Sequence, residues 1–178
     1  MRYWVTEWGS VEPSYIQESQ EIYNLAELEY ERYFYDENTG GFVLIHQDHN
    51  TNDSERFVAE AFAVQGKRVK LLSEQAASGI RTPDAEIDGE LWEFKELSGN
   101  AINISNAVQR GVAVAKKRAP NIAYHINTEA NIRDINTGIA RAIFWDRQSF
   151  LQKLAIVFND SRMQVLTRKE MENGQYFQ

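Results

Sequence analysis

Residues 82–97 read Thr82-Pro83-Asp84-Ala85-Glu86-Ile87-Asp88-Gly89-Glu90-Leu91-Trp92-Glu93-Phe94-Lys95-Glu96-Leu97. An Asp-Gly pair between two alternating segments is the strongest short-range signal for a two-residue hairpin of type I′, because both loop residues must adopt positive φ. With Asp88 and Gly89 in the loop, Ile87 faces Glu90, Glu86 faces Leu91, Ala85 faces Trp92 and Asp84 faces Glu93. Side chains alternate across a strand. One face therefore carries Ala85, Ile87, Trp92 and Phe94, a core face, and the other carries Asp84, Glu93 and Lys95.

On that second face two carboxylates stand opposite each other, about 4.5–5.5 Å apart at Cβ by ordinary strand geometry. Like charges so placed repel unless a cation or a proton joins them. A hard divalent ion that takes oxygen ligands and keeps several waters fits such a pair. Lys95, one step along the same face, can orient or deprotonate a water or steady a developing negative charge. This is the layout that metal-assisted phosphodiester hydrolysis needs. A solvated sheet face with an ordinary Glu-x-Lys pair is the plainer alternative.

Outward from the hairpin, Pro13-Ser14 opens a helix expected over 14–35, with Ile22, Leu25, Leu28 and Tyr33 at helical spacing. Its five tyrosines suggest either rings docked on a core or a stacking surface. A turn at Asn38–Gly41 leads to a short buried strand, 42–46. Asp53 or Ser54 caps a helix over 55–65 that Gly66 closes, and 69–72 is the next strand. A small-residue loop, 73–81, precedes the hairpin. Beyond it a helix is expected over 103–119, a buried strand over 122–126, a helix over 134–145, and strands over 154–158 and 163–166. The order gives an α/β fold with a mixed central sheet flanked by helices. Residues 1–37, including Trp4 and Trp8, are expected as an aromatic-rich helical arm, and 38–178 as the α/β domain.

The 178 residues suit one domain with an arm, and 43% hydrophobic content excludes a disordered chain. The absence of cysteine removes disulfides, thiolate zinc sites and thiol nucleophiles. No apolar run approaches the roughly 20 residues of a membrane span, so no membrane partner is expected and a cytoplasmic location is the simplest. Net charge is −7, yet residues 101–147 carry 7 basic and 3 acidic side chains. That locally basic segment is where a polyanion would touch. Within it Asn106, Arg110 and Lys117 fall on one helical face, flanked by Lys116 and Arg118, and are candidates for phosphate contact. His46 and His49 lack the spacing of a zinc pair but are candidate general bases, while His125, inside an apolar strand, reads as a satisfied core histidine.

Pro83-Asp84 followed by Glu93-Phe94-Lys95, set between a helix and a helix–strand unit, resembles the PD-(D/E)xK nuclease superfamily. The resemblance covers about residues 54–127 and implies an αβββαβ core. The wider string, with Val69-Lys70-Leu71-Leu72 and Ile87-Asp88-Gly89, is similar to the tRNA-cleaving C-terminal toxin domains of CdiA-type contact-dependent inhibition proteins. It implies Mg²⁺ or another divalent metal on Asp84 and Glu93, a catalytic role for Lys95, and a further carboxylate from the first core helix, Glu55 ahead of Glu60. It also implies RNA ahead of DNA as substrate, action in a target cell's cytoplasm, and an immunity protein as partner. Two alternatives stand beside it: a metal-independent ribonuclease using His46 or His49 with Lys95, and a non-catalytic protein-interaction module on the same scaffold.

Overall fold

The computed structural model describes residues 11–75, 82–99 and 101–178. Trp4, Trp8 and most of the 73–81 loop lie outside the described residues. Thirteen elements follow one another along the described chain: α1 (Pro13–Asn24), β1 (Tyr30–Tyr35), β2 (Phe42–His46), α2 (Asp53–Ala63), β3 (Arg68–Leu71), β4 (Ala85–Ile87), β5 (Glu90–Ser98), α3 (Ile104–Ala115), β6 (Asn121–Asn127), α4 (Ile132–Trp145), β7 (Lys153–Phe158), β8 (Met163–Thr167) and α5 (Arg168–Glu172). The eight strands form one sheet in sequence order. The β2–β3, β5–β6 and β6–β7 pairs are parallel and the other four antiparallel, which makes the sheet mixed.

The hairpin has the register its turn dictates. Asp88 and Gly89 both take positive φ, 50° and 82°, and Ala85 pairs with Trp92, Glu86 with Leu91 and Ile87 with Glu90. Ala85, Ile87, Trp92 and Phe94 join Val58, Phe62, Val69 and Leu71 in the core beneath α2. The opposite face is covered by α3 and α4, whose Val108, Val112, Ile135 and Ile139 pack on Leu97, Ile122, Tyr124 and Ile156. Gly138 allows the two helices to close: a Cβ there would lie 2.5 Å from the Ser105 carbonyl oxygen.

One expected element is corrected. The helix expected over 14–35 stops at Asn24, and Tyr30–Tyr35 is an edge strand pairing antiparallel with β2. Leu25 and Leu28, placed on the helix's apolar stripe by spacing, are exposed. The tyrosines dock: Tyr15 donates to the Gly66 carbonyl, and Tyr23 packs on Tyr35 and Phe42. Smaller shifts occur at helix ends. The cap of α2 is Asn52 rather than Asp53 or Ser54, and α3 ends at Ala115, so Lys117 lies in the turn after the helix.

Candidate active site

From α2 through β6 the order is helix–strand–strand–strand–helix–strand, and the hairpin sits at its centre. Asp84 immediately precedes β4. Its carbonyl accepts from Leu72 N–H at 2.9 Å, and its carboxylate Oδ2 accepts from Phe94 N–H at 2.8 Å, which fixes the side chain against β5. Glu93, in the middle of β5, is fully buried. Its Oε1 accepts from Arg118 Nη1 at 2.5 Å and lies 3.7 Å from Lys95 Nζ. Its Oε2 is buried and has no hydrogen-bond partner among the described residues.

Both carboxyls are held above their ordinary pKa. Burial is the main cause for each, because desolvation disfavours the charged form. For Glu93 the neighbouring charge of Asp84 adds to burial, against the opposing pull of Arg118 and Lys95. For Asp84 the Phe94 N–H bond works against burial; Glu55 adds to the upward shift, while His49 and Lys95 oppose it.

The N-terminus of α2 supplies the next two groups. Asn52 and Glu55 form a capping box, with Asn52 Oδ1 accepting from Glu55 N–H at 2.9 Å and Glu55 Oε2 accepting from Asn52 N–H at 3.1 Å. The same Oε2 lies 3.2 Å from Nε2 of His49, whose Nδ1 donates to the Leu72 carbonyl at 2.6 Å. Burial lowers the His49 pKa, but the bonds to Glu55 and Leu72 outweigh it and hold the net value above that of a free imidazole. An imidazole facing a carbonyl through one nitrogen and a carboxylate through the other is favoured in its doubly protonated form.

The candidate residues thus divide. Asp84, Glu93 and Lys95 share one sheet face, and Glu55 and His49 act on Asp84 electrostatically. Glu60 stands elsewhere, accepting from Tyr33 Oη at 2.7 Å. His46 is also apart, against Tyr30 with Glu29 and Asp48 at 3.6 and 3.7 Å. His125 is a core histidine, bonded to Ser54 and Asn159 and stacked on Phe57. On α3, Asn106 accepts from Arg141 at 3.1 Å, while Arg110 and Lys117 are exposed. Arg118, a flank of that row in the sequence, is the basic residue that reaches Glu93.

Two site residues escaped sequence reasoning in these roles. Arg118 meets Glu93 only because β6 lies beside β5 and returns the end of α3 to it; the flanking basic cluster was the available signal. His49 sits in what reads as a loop, and its burial depends on the Leu72 carbonyl 23 residues away.

Among the described residues no three His, Asp or Glu side chains gather into a set that by itself holds a metal ion. The available donor set is the Asp84–Glu93 pair, with Glu55 beside it already committed to His49 and Asn52. Two desolvated carboxylates with raised proton affinity, one bearing an unpartnered oxygen, suit a hard cation that completes its shell with water.

Comparison with known proteins bears on the same region. The family model described as the contact-dependent growth inhibition CdiA C-terminal domain matches residues 81–162, from the hairpin past β7 and less than half of the chain. Among solved structures, a chain of a CdiA-CT/CdiI toxin and immunity complex from Burkholderia pseudomallei is similar at 17% identity, covering 66% of this chain and 90% of that chain with a TM-score of 0.44. No curated protein matches. No described helix is long and apolar enough to cross a membrane.

Proposed function

We propose that this chain is a divalent-metal-dependent nuclease of the PD-(D/E)xK type, acting as a toxin domain on RNA, with tRNA the favoured substrate. The observation that carries the reading is the pair of half-buried Asp84 and fully buried Glu93: both carboxyls are raised, one oxygen has no partner among the described residues, and Lys95 stands beside Glu93. The family match over 81–162 supports the toxin class; RNA and an immunity partner come from the resemblance of the 55–95 string to tRNA-cleaving toxin domains.

In this reading Asp84 and Glu93 hold Mg²⁺, which when bound supplies Lewis-acid polarisation of a phosphoryl oxygen. Phe94 N–H and Arg118 orient the two carboxylates. Lys95 Nζ donates to the charge that develops at the phosphate, or holds the attacking water by hydrogen bond. Glu55 fixes the α2 terminus and the His49 cation beside Asp84, which steadies the ionised form of that carboxyl. Asn106, Arg110 and Lys117 are proposed contacts to the nucleic-acid backbone.

The test is cleavage of total tRNA and of plasmid DNA, with Mg²⁺ and with EDTA, by the wild type and by Asp84→Ala. The reading expects tRNA cleavage that needs the metal and vanishes in the variant. No cleavage of either polymer under any condition would overturn it. A second reading, a metal-independent ribonuclease, has one observation in its favour: the buried His49 ring lies between Glu55 and the Leu72 carbonyl, contacts that raise its pKa. Cleavage untouched by EDTA and lost in His49→Ala would select it.

A further inference from the structure

Two exposed rings close α4, and a third follows in the loop before β7. Phe144 and Trp145, the last two residues of α4, are 68% and 60% exposed, and Phe150 is 55% exposed. Large aromatics so uncovered need an explanation when they lie within seven residues. They are not loosely held. Phe144 and Trp145 pack edge to face with centroids 5.2 Å apart, and the Arg147 guanidinium lies over the Trp145 ring at 6.0 Å. The loop bearing Phe150 is tied at both ends to Asp146, through Ser149 N–H to its carbonyl at 3.0 Å and Leu151 N–H to its carboxylate at 2.9 Å.

The charge beside the rings is positive by one: Asp146, next to Trp145, is matched by Lys116 at 2.9 Å and Arg168 at 2.6 Å, Arg168 also pairs with Glu172 at 2.6 Å, and Arg147, over the Trp145 ring, is the cation left over. The same Lys116 belongs to the turn that carries Arg118, which grips Glu93.

We propose that Phe144, Trp145 and Phe150, with Arg147, form a stacking platform for unpaired bases of a single-stranded or loop segment of RNA. Rings offer a π-face to any base, and Arg147 meets the backbone; that combination is how single strands are held without sequence readout. The proposal rests on the nuclease reading for the identity of the polyanion, and the exposed rings and local charge make it specific.

The experiment measures binding of a labelled single-stranded RNA and of total tRNA by the full chain carrying Lys95→Ala, which keeps the probe intact. Trp145→Ala and Phe144→Ala each weaken RNA binding by about 5- to 100-fold, the loss of one base–aromatic stack. Trp145→Tyr retains most of it. Arg147→Glu weakens binding and flattens its salt dependence by about one ion. The thermal midpoints of these surface variants stay at that of the parent, and hydrolysis of a small activated phosphodiester by the same variants with Lys95 intact is unchanged. RNA affinity indifferent to Trp145→Ala overturns the platform, as does a patch that binds an acidic protein while its substitution leaves RNA affinity intact. If the small diester is hydrolysed and only the patch variants are silent, the platform alone fails. If neither the diester is hydrolysed nor RNA bound, the nuclease reading has failed with it.

Discussion

Asp146 and Glu93 are both buried acids gripped by an arginine, and their surroundings drive them in opposite directions. Asp146 Oδ1 meets Lys116, and its Oδ2 meets Arg168 and Leu151 N–H. Although burial pushes the other way, these bonds hold its pKa below the ordinary carboxylate range. Glu93 has one oxygen served and one unpartnered, faces a second carboxylate, and is held above that range. A charge whose bonds are complete ties a loop to a helix end. A charge left half-served keeps coordination capacity for something else, and such groups cluster at functional sites.

That contrast can be broken by mutation. A large effect is expected at Lys95. Its replacement by Ala lowers phosphodiester cleavage by about 10²- to 10⁴-fold, the range for a positioned proton-transfer or charge-stabilising group, with little change in the melting curve. Asp146→Ala has the reverse signature. It leaves Lys116 and Arg168 facing an empty site and costs about 3 kcal/mol, a fall in Tm of roughly 6–12 °C. Hydrolysis of a small phosphodiester per folded molecule is retained.

Asp84→Asn sharpens the comparison, because it removes a repelling, half-buried charge yet keeps an acceptor for Phe94 N–H. It abolishes cleavage and raises stability by roughly 1 kcal/mol, the usual gain from relieving such a conflict. The pH dependence has a defined sign. Between the unfolded value near 3.8 and its raised folded value, Asp84 binds more protons in the native state, so stability falls as pH rises through that window. Glu93 contributes in the same direction from its unfolded value near 4.5. The advantage of Asp84→Asn over wild type is therefore absent in acid and grows towards neutral pH, which paired melts across pH would record. Asp146 behaves oppositely, its stabilisation being present above 3.8 and lost as pH falls through its lowered value. The smallest effect is expected at Glu60→Gln, which keeps the bond from Tyr33; cleavage assays should find it at the wild-type rate, whereas Glu55→Gln loses activity.

The parts of this account that were legible in the sequence are those set by local rules. The Asp88-Gly89 turn fixes a register, and the register alone separates Trp92 and Phe94 from Asp84, Glu93 and Lys95. The helix–strand alternation from Asp53 onward follows from caps, turns and apolar runs. The N-terminal third was misread at one place, because Tyr30-Glu31-Arg32-Tyr33-Phe34-Tyr35 contains rings at helical spacing. Its strand register slips between Arg32 and Phe34, a bulge that erases the two-residue period by which a strand is recognised. Arg118 and His49 were hidden for a different reason. Their partners, Glu93 and Glu55 with the Leu72 carbonyl, are brought to them by parallel strand pairing and helix packing, and no spacing rule encodes either.

The central claim is that Asp84 and Glu93 are a cation-accepting pair. The most direct measurement is calorimetric titration of the wild type and of Asp84→Asn with Mn²⁺, in buffers of different ionisation heat. The account predicts that the wild type binds the cation with release of protons, since two carboxyls of raised proton affinity must ionise to coordinate it, and that Asp84→Asn binds at least about tenfold more weakly with fewer protons released. Equal binding by both proteins, or none by the folded wild type, would contradict it.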